Sequence, residues 1–165
     1  MFRSLDAFCT RLSETALSQA IQTTEWVIPA IQTVHIVAVA VVITSILMVD
    51  LRLIGFGRQS IASVAHRYLP PVWLALPVLL VTGVTLIIAE PSRALQNWVF
   101  FLKMALLLLA AGITLLCQIP LRRDAGYWDA PGSRRRLARL VGLLSLPLWV
   151  AILFAGRWIA YVQSH

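Results

Sequence analysis

A chain of 165 residues that is 59% hydrophobic, with a mean hydropathy of +0.82, carries more apolar surface than a soluble domain of this size can bury, and it reads as an integral membrane protein. The net charge of +7 and pI near 10.7 would suit nucleic acid, but the arginines fall in the links between apolar runs, where they act as topology determinants. No charged start, short apolar core and small-residue cleavage site follow Met1, so no removable signal peptide is expected.

Taken in order, Leu5, Phe8, Leu12 and Ala16 recur at helical spacing, with Ser4, Asp6, Arg11, Glu14 and Gln19 around the other face. This predicts an amphipathic helix over residues 4–24 lying on the membrane surface. Four runs then have membrane-spanning length, over about 27–49, 71–89, 98–119 and 140–162. The fold class is therefore all-α: a single domain over residues 1–165, an integral membrane four-helix bundle with an interfacial N-terminal helix. The link from Asp50 to Pro70 carries Arg52, Arg58 and Arg67, and the link from Pro120 to Arg139 carries six further arginines, which places both in the cytoplasm. The link from Glu90 to Asn97 and both termini then face outward, with Trp26, Trp98 and Trp158 marking the outer interface. Ser60 to Leu69 is expected to form a helical prelude to the second span, started or kinked at Pro70-Pro71. Cys9 and Cys117 fall near opposite faces, so no disulfide is expected between them.

Polar residues inside apolar runs are the candidate functional residues, because an unpaired polar group in hydrocarbon costs several kcal/mol. His35 lies about 13 Å below Trp26, and Lys103 about 7 Å below Trp98, so both belong to the outer half of the bundle. No carboxylate lies in that half of any span, so the Lys103 amine lacks an internal counter-ion. A b-type haem would account for both: an imidazole ligand from His35, a propionate partner or, if neutral, a second ligand from Lys103, and another propionate contact from Arg157 in the last span. Lys103 could instead snorkel, as could Arg157 beside Trp158, and His35 could be a packing histidine bonded within the bundle. Copper would call for several Met, Cys or His ligands, which the outer half lacks. His66 belongs at the cytoplasmic end, beside Arg67, and reads as interfacial. Asp50 closes the first span where the helix dipole disfavours an anion, and a compensating cation, Arg52 or Arg67, is expected. Phosphate-cradling loops, metalloprotease histidine pairs and nucleophile elbows are absent.

The run SETALSQAIQTTEWVIPAIQTVHIVAVAVVI, then MVDLRLIGFG, YLPPVWLALPVLLVTGVTLII and NWVFFLKMALLLLA, resembles a family of small bacterial four-span membrane proteins known only as a domain of unknown function. The positions that carry the resemblance are Trp26, Pro29, His35, Asp50, Arg52, Gly55, Pro70, Gly83 and Lys103. Where members of that family often end the third span with an asparagine and a histidine, this sequence has Leu116, Cys117 and Gln118. More distantly, a histidine in span one and a lysine near the start of span three are similar to the membrane-bound protoporphyrinogen oxidases of the HemJ type, and the layout resembles copper-resistance proteins of the CopD type. The first of these resemblances implies haem at His35 and an essential Lys103.

The resulting expectation is a bacterial inner-membrane protein, its termini periplasmic, that binds haem b through His35 and passes electrons between a quinone or porphyrin-like substrate and a partner. That partner would be another membrane protein or a second copy of the chain. The rival reading, from another class, is a non-enzymatic accessory subunit or a small-solute or metal permease in which His35 and Lys103 line a polar cavity.

Overall fold

The computed structural model describes residues 2–159, with the side chains of residues 2–5 and of residue 93 outside the description. Residues 160–162 of the fourth expected span lie beyond it too. The described residues form helices α1 (Phe2–Ser13), α2 (Ala16–Thr23), α3 (Val27–Ile54), α4 (Ile61–Ala89), α5 (Pro91–Leu95), α6 (Trp98–Arg123) and α7 (Ser133–Trp158). No strand occurs among them. Four of the helices, α3, α4, α6 and α7, are long and apolar enough to cross a membrane, as expected of a multi-pass membrane protein.

The spans run further than the apolar runs alone indicated. The arginine-bearing segments do not break the helical hydrogen-bond ladder; they extend it beyond the hydrocarbon. Thus α3 continues through Asp50 and Arg52 to Gly55, whose φ of +126° ends the helix in a conformation that glycine adopts without strain. The expected prelude at Ser60 to Leu69 is the first part of α4 itself. Its start is set by the Ser60 hydroxyl, which accepts from Ser63 N at 3.1 Å, and not by Pro70-Pro71, which lie within the helix. The single surface helix expected over residues 4–24 is two helices, broken at Glu14 and Thr15. The Thr15 hydroxyl caps α2 by accepting from Ser18 N. Their packed face also differs: Cys9, Ser18 and Ile21 are buried, whereas Phe8 is exposed. The reason is that these helices dock on the end of the bundle, α1 against α5 and α2 against α4. Cys9 and Cys117 are both free thiols.

Docking of α2 is driven by unsatisfied carbonyls at the end of α4. Ser18 Oγ donates to Ile88 O at 2.7 Å, and Gln22 Nε2 donates to Ala89 O at 2.8 Å, so a neighbouring helix does what a C-cap would otherwise do. Asn97 has a similar double role: its Oδ1 accepts from Val99 N at the start of α6, while its Nδ2 donates to Ile159 O beyond α7. Trp26, Trp98 and Trp158 are exposed at this same end, where indole rings favour a membrane interface.

At the opposite end the two arginine-rich links meet on Asp129. Its Oδ2 accepts from the backbone N–H of Ile61, one of the orphan donors opening α4, and its Oδ1 faces Arg52 at 3.6 Å and Arg135 at 3.5 Å. Beside it, Trp128 is buried and donates from Nε1 to Cys117 O at 2.9 Å. The cation expected to compensate Asp50 is therefore committed elsewhere: Arg52 serves Asp129 and the Gln59 carbonyl, while Arg67 lies exposed beside the Tyr68 ring.

Close backbone packing runs from α4 to α3 to α7 to α6. The two ends of that series, α4 and α6, face each other through side chains and not backbone to backbone. The tightest approach is at Gly142, where a Cβ would stand 2.9 Å from Asp50 O and 3.0 Å from both Leu53 Cβ and Ile54 Cγ1. Gly142→Ala should therefore destabilise the bundle by about 1–3 kcal/mol, the usual cost of overpacking. Gly112→Ala, where nothing lies within 4 Å, should stay within about 0.5 kcal/mol of the parent. Unfolding in mixed detergent micelles measures both. Asp129→Ala should release the link between α6 and α7, seen as faster tryptic cleavage after Arg122, Arg123 and Arg134, with little change in helical content.

Candidate functional site

His35 projects from the N-terminal half of α3 toward α4. Its Nδ1 is 2.7 Å from Thr82 Oγ1, and a Cβ on Gly83 would stand 3.7 Å from its Cε1, so the small Gly83 leaves the ring its place. The Thr82 hydroxyl has one hydrogen, and it is directed to Val78 O at 2.6 Å, the back-bond typical of a threonine within a helix. With that hydrogen given to Val78 O, Thr82 Oγ1 accepts from His35, the arrangement in which the proton of a neutral imidazole lies on Nδ1. Nε2 is left with its lone pair. The polar atoms Thr82 and His35 satisfy one another, and the ring is only half-buried, with Nε2 available to a further partner.

Lys103 enters from α6 and lies along α7. A Cβ on Gly156 would meet its Nζ at 3.4 Å and its Cε at 3.5 Å, so the glycine provides the channel in which the lysine stem runs. The ammonium comes near enough to His35 for the two groups to interact electrostatically. His35 and Lys103, predicted to share the outer half of the bundle, are thus brought together by all four spans: α3 and α6 carry them, and α4 and α7 supply the small residues against which they rest. Among the described residues the lysine meets no carboxylate within ion-pair distance.

The remaining candidates fall elsewhere. Arg157 directly follows Gly156 and is exposed near the end of α7, adjoining the Lys103 channel without lining it. His66 is exposed toward the arginine-rich end of α4, about 24 Å along the helix from Thr82, so it cannot share a centre with His35. A groove of about 460 Å³ between α3 and α4 is lined by Val34, Val37 and Val41 together with Leu74, Ala75 and Val78; it is apolar and does not include His35. No group of three or more His, Cys, Asp or Glu side chains suited to a metal ion occurs among the described residues.

Sequence reasoning missed Thr82, the residue that sets the tautomer of His35. The signal was present, since Thr82 and Thr85 are the only hydroxyl residues between Pro71 and Ala89. It also missed a second polar cluster in the other half of the bundle. Asp50 is 4% exposed, is hydrogen-bonded to Ser145, and shares a cavity with Thr114, Cys117, Gln118 and Trp128.

No curated protein and no solved structure matches the chain. The distant likenesses to HemJ-type oxidases and CopD-type proteins thus gain no support from these comparisons. The four-span family suggested by the sequence does: residues 12–162 match DUF6644, a family of unknown function, and the chain belongs to that family.

Proposed function

We propose that this protein is a membrane haem b protein in which His35 Nε2 is the axial ligand, and that it serves electron transfer with a quinone or porphyrin-like substrate. The observation that carries the proposal is the chain His35 Nδ1–H to Thr82 Oγ1 to Val78 O. It presents the unprotonated Nε2 in a fixed ring orientation, as the hydrogen-bond partner of the other ring nitrogen does for a metal-ligating histidine.

The residues present fit the group. The imidazole stands among apolar spans, and a cation lies at similar depth. α4 and α6 are not among the closely packed helix pairs. Lys103 would hold a propionate, and Arg157, exposed toward the tryptophan-marked end, a second propionate nearer the surface. A bound haem would supply one-electron chemistry at a potential set by its ligand and surroundings. The chain's own part is to orient the imidazole through Thr82, to leave room for the ring at Gly83, and to place a positive charge beside the site through Lys103. Among the described residues no second imidazole reaches this half of the bundle, so the proposal is for one histidine ligand.

Absorption spectra of detergent-purified protein, oxidised and dithionite-reduced, test this directly. A reduced b-type band is expected, and it should disappear in His35→Ala; a colourless protein from haem-replete cells, or a variant with its full haem complement, overturns the assignment. Thr82→Val removes the acceptor for Nδ1–H and should weaken haem retention about 10–100-fold, the usual effect of losing such a partner. Lys103→Met should preserve the fold and the band while lowering the reduction potential and loosening the haem; a potential and affinity equal to the parent's would remove Lys103 from the site.

A further inference from the structure

The arginine-rich end of the bundle carries charge that the carboxylate beside it does not balance. Gly55 closes α3 there, and two guanidinium groups of α7 converge on the point its Cβ would occupy: Arg135 Nη2 stands 3.8 Å from it and Arg139 Nε 3.9 Å. The φ of +126° keeps a glycine at this turn, so no side chain of α3 fills the notch. Arg135 turns its other nitrogen, Nη1, to Asp129 Oδ1 at 3.5 Å, and Arg52 Nη2 approaches the same oxygen at 3.6 Å. Three guanidinium groups are thus linked through two shared points, with one carboxylate among them.

Asp129 does not satisfy them. Its Oδ2 is taken by the Ile61 N–H, and Arg135 Nη1, shut off from solvent, makes no hydrogen bond. Arg139 is exposed and has no ion-pair partner among the described residues. Guanidinium groups held this close repel one another, and arginine does not relieve the repulsion by losing its proton. Water could accept from these donors but would bring no charge. An anion in the Gly55 notch supplies both acceptors and charge, and the planar fork of arginine suits the oxygens of a phosphate.

The spans decide which phosphate reaches this place. Leu143 lies one turn beyond Arg139 on the same face of α7, and Val150 two turns further; both are exposed, as is Phe56 beside Gly55. A phosphate here thus has an apolar helix face beneath it, the pairing of head and tail found in a phospholipid. A zwitterionic headgroup would return a cation to a cluster that already has too many, so the matching lipid carries net negative charge.

We propose that Arg135 and Arg139, with Arg52 behind them, bind the phosphodiester of an anionic phospholipid in the Gly55 notch between α3 and α7, one acyl chain lying along Leu143 and Val150. Arg135 and Arg139 supply the donors and the charge. The site is independent of the haem reading, since Gly55 lies about 30 Å along α3 from His35.

The test is thermal unfolding of the full-length protein in uncharged detergent at constant ionic strength, followed by tryptophan fluorescence, with phosphatidylglycerol, phosphatidylcholine or inorganic phosphate titrated in. A ligand that binds only the folded state raises the melting temperature in a saturable way. Phosphatidylglycerol should do so, and the other two should not. Arg139→Gln should raise the half-saturating phosphatidylglycerol content on the order of tenfold, the loss of one charged hydrogen bond, whereas Arg123→Gln, the same charge removed at the same end, should stay within about twofold. Arg135→Lys, which keeps the charge and loses the fork, should weaken binding on the order of tenfold as well. Equal melting curves in the two lipids overturn the proposal, and protection by inorganic phosphate equal to that by phosphatidylglycerol overturns it in favour of a site for a free anion. Equal shifts in Arg139→Gln and Arg123→Gln overturn it in favour of diffuse attraction to the whole basic end. Should Arg135→Lys fail to fold, Arg139→Gln decides, because the exposed Arg139 takes no part in the Asp129 contacts.

Discussion

Hydrocarbon offers no hydrogen-bond partner, so a polar atom on a membrane-spanning helix must be satisfied by its own helix or by a neighbour. The placement of α4 against α3 follows this constraint at His35, whose Nδ1 meets Thr82 while the Thr82 hydrogen turns back to Val78 O. Each polar bond of this kind is worth about 0.6–2 kcal/mol between helices in a membrane, so by itself it does not hold the bundle. What it fixes is register and rotation. Sliding α4 by one residue relative to α3 would turn Thr82 away, leave an imidazole nitrogen unpaired, and put a larger side chain where Gly83 lies beside the ring.

The same constraint explains why the bundle ends are covered by short elements and not by free loops. The last carbonyls of α4 are taken by Ser18 and Gln22 of α2, and the first N–H of α4 by Asp129, which lies in the link after α6. One helix is thus tied at both ends to segments remote in sequence. Asn97 does for the α6–α7 pair what these contacts do for α4, capping the start of one helix and bonding beyond the end of the other. A chain with α1 and α2 removed would expose two of these carbonyls at the interface, where water can reach them, so the cost there is modest. Losing Asp129 is different, because two arginines would then be left facing each other.

The spans and their order were legible because they rest on length and hydropathy, each of which reads directly from residue counts. Thr82 was harder to see, because a threonine within a span satisfies itself by back-bonding and gives no sign of which neighbour its oxygen faces. The split of the N-terminal helix at Glu14-Thr15 was hidden for another reason. Its periodicity is continuous across the break, and the end of α2 is decided by docking on α4. The pairing of Asp50 with Arg52 failed on geometry: residues two apart on a helix point in different directions, so Arg52 leaves the bundle toward Asp129 while Asp50 turns in toward Ser145.

Gly142 explains why the inner cavity is both buried and small. Because it has no side chain, α7 can approach the α3 backbone at Asp50 O more closely than any other residue would allow, and that approach brings Ser145, three residues along α7, against the Asp50 carboxylate. The crossing that makes the space tight thereby also supplies one of its oxygens. Gly83 and Gly156 act differently: they make room for the side chains of His35 and Lys103 and not for a helix backbone. The same residue type therefore closes one half of the bundle around a carboxylate and leaves the other half open beside an imidazole.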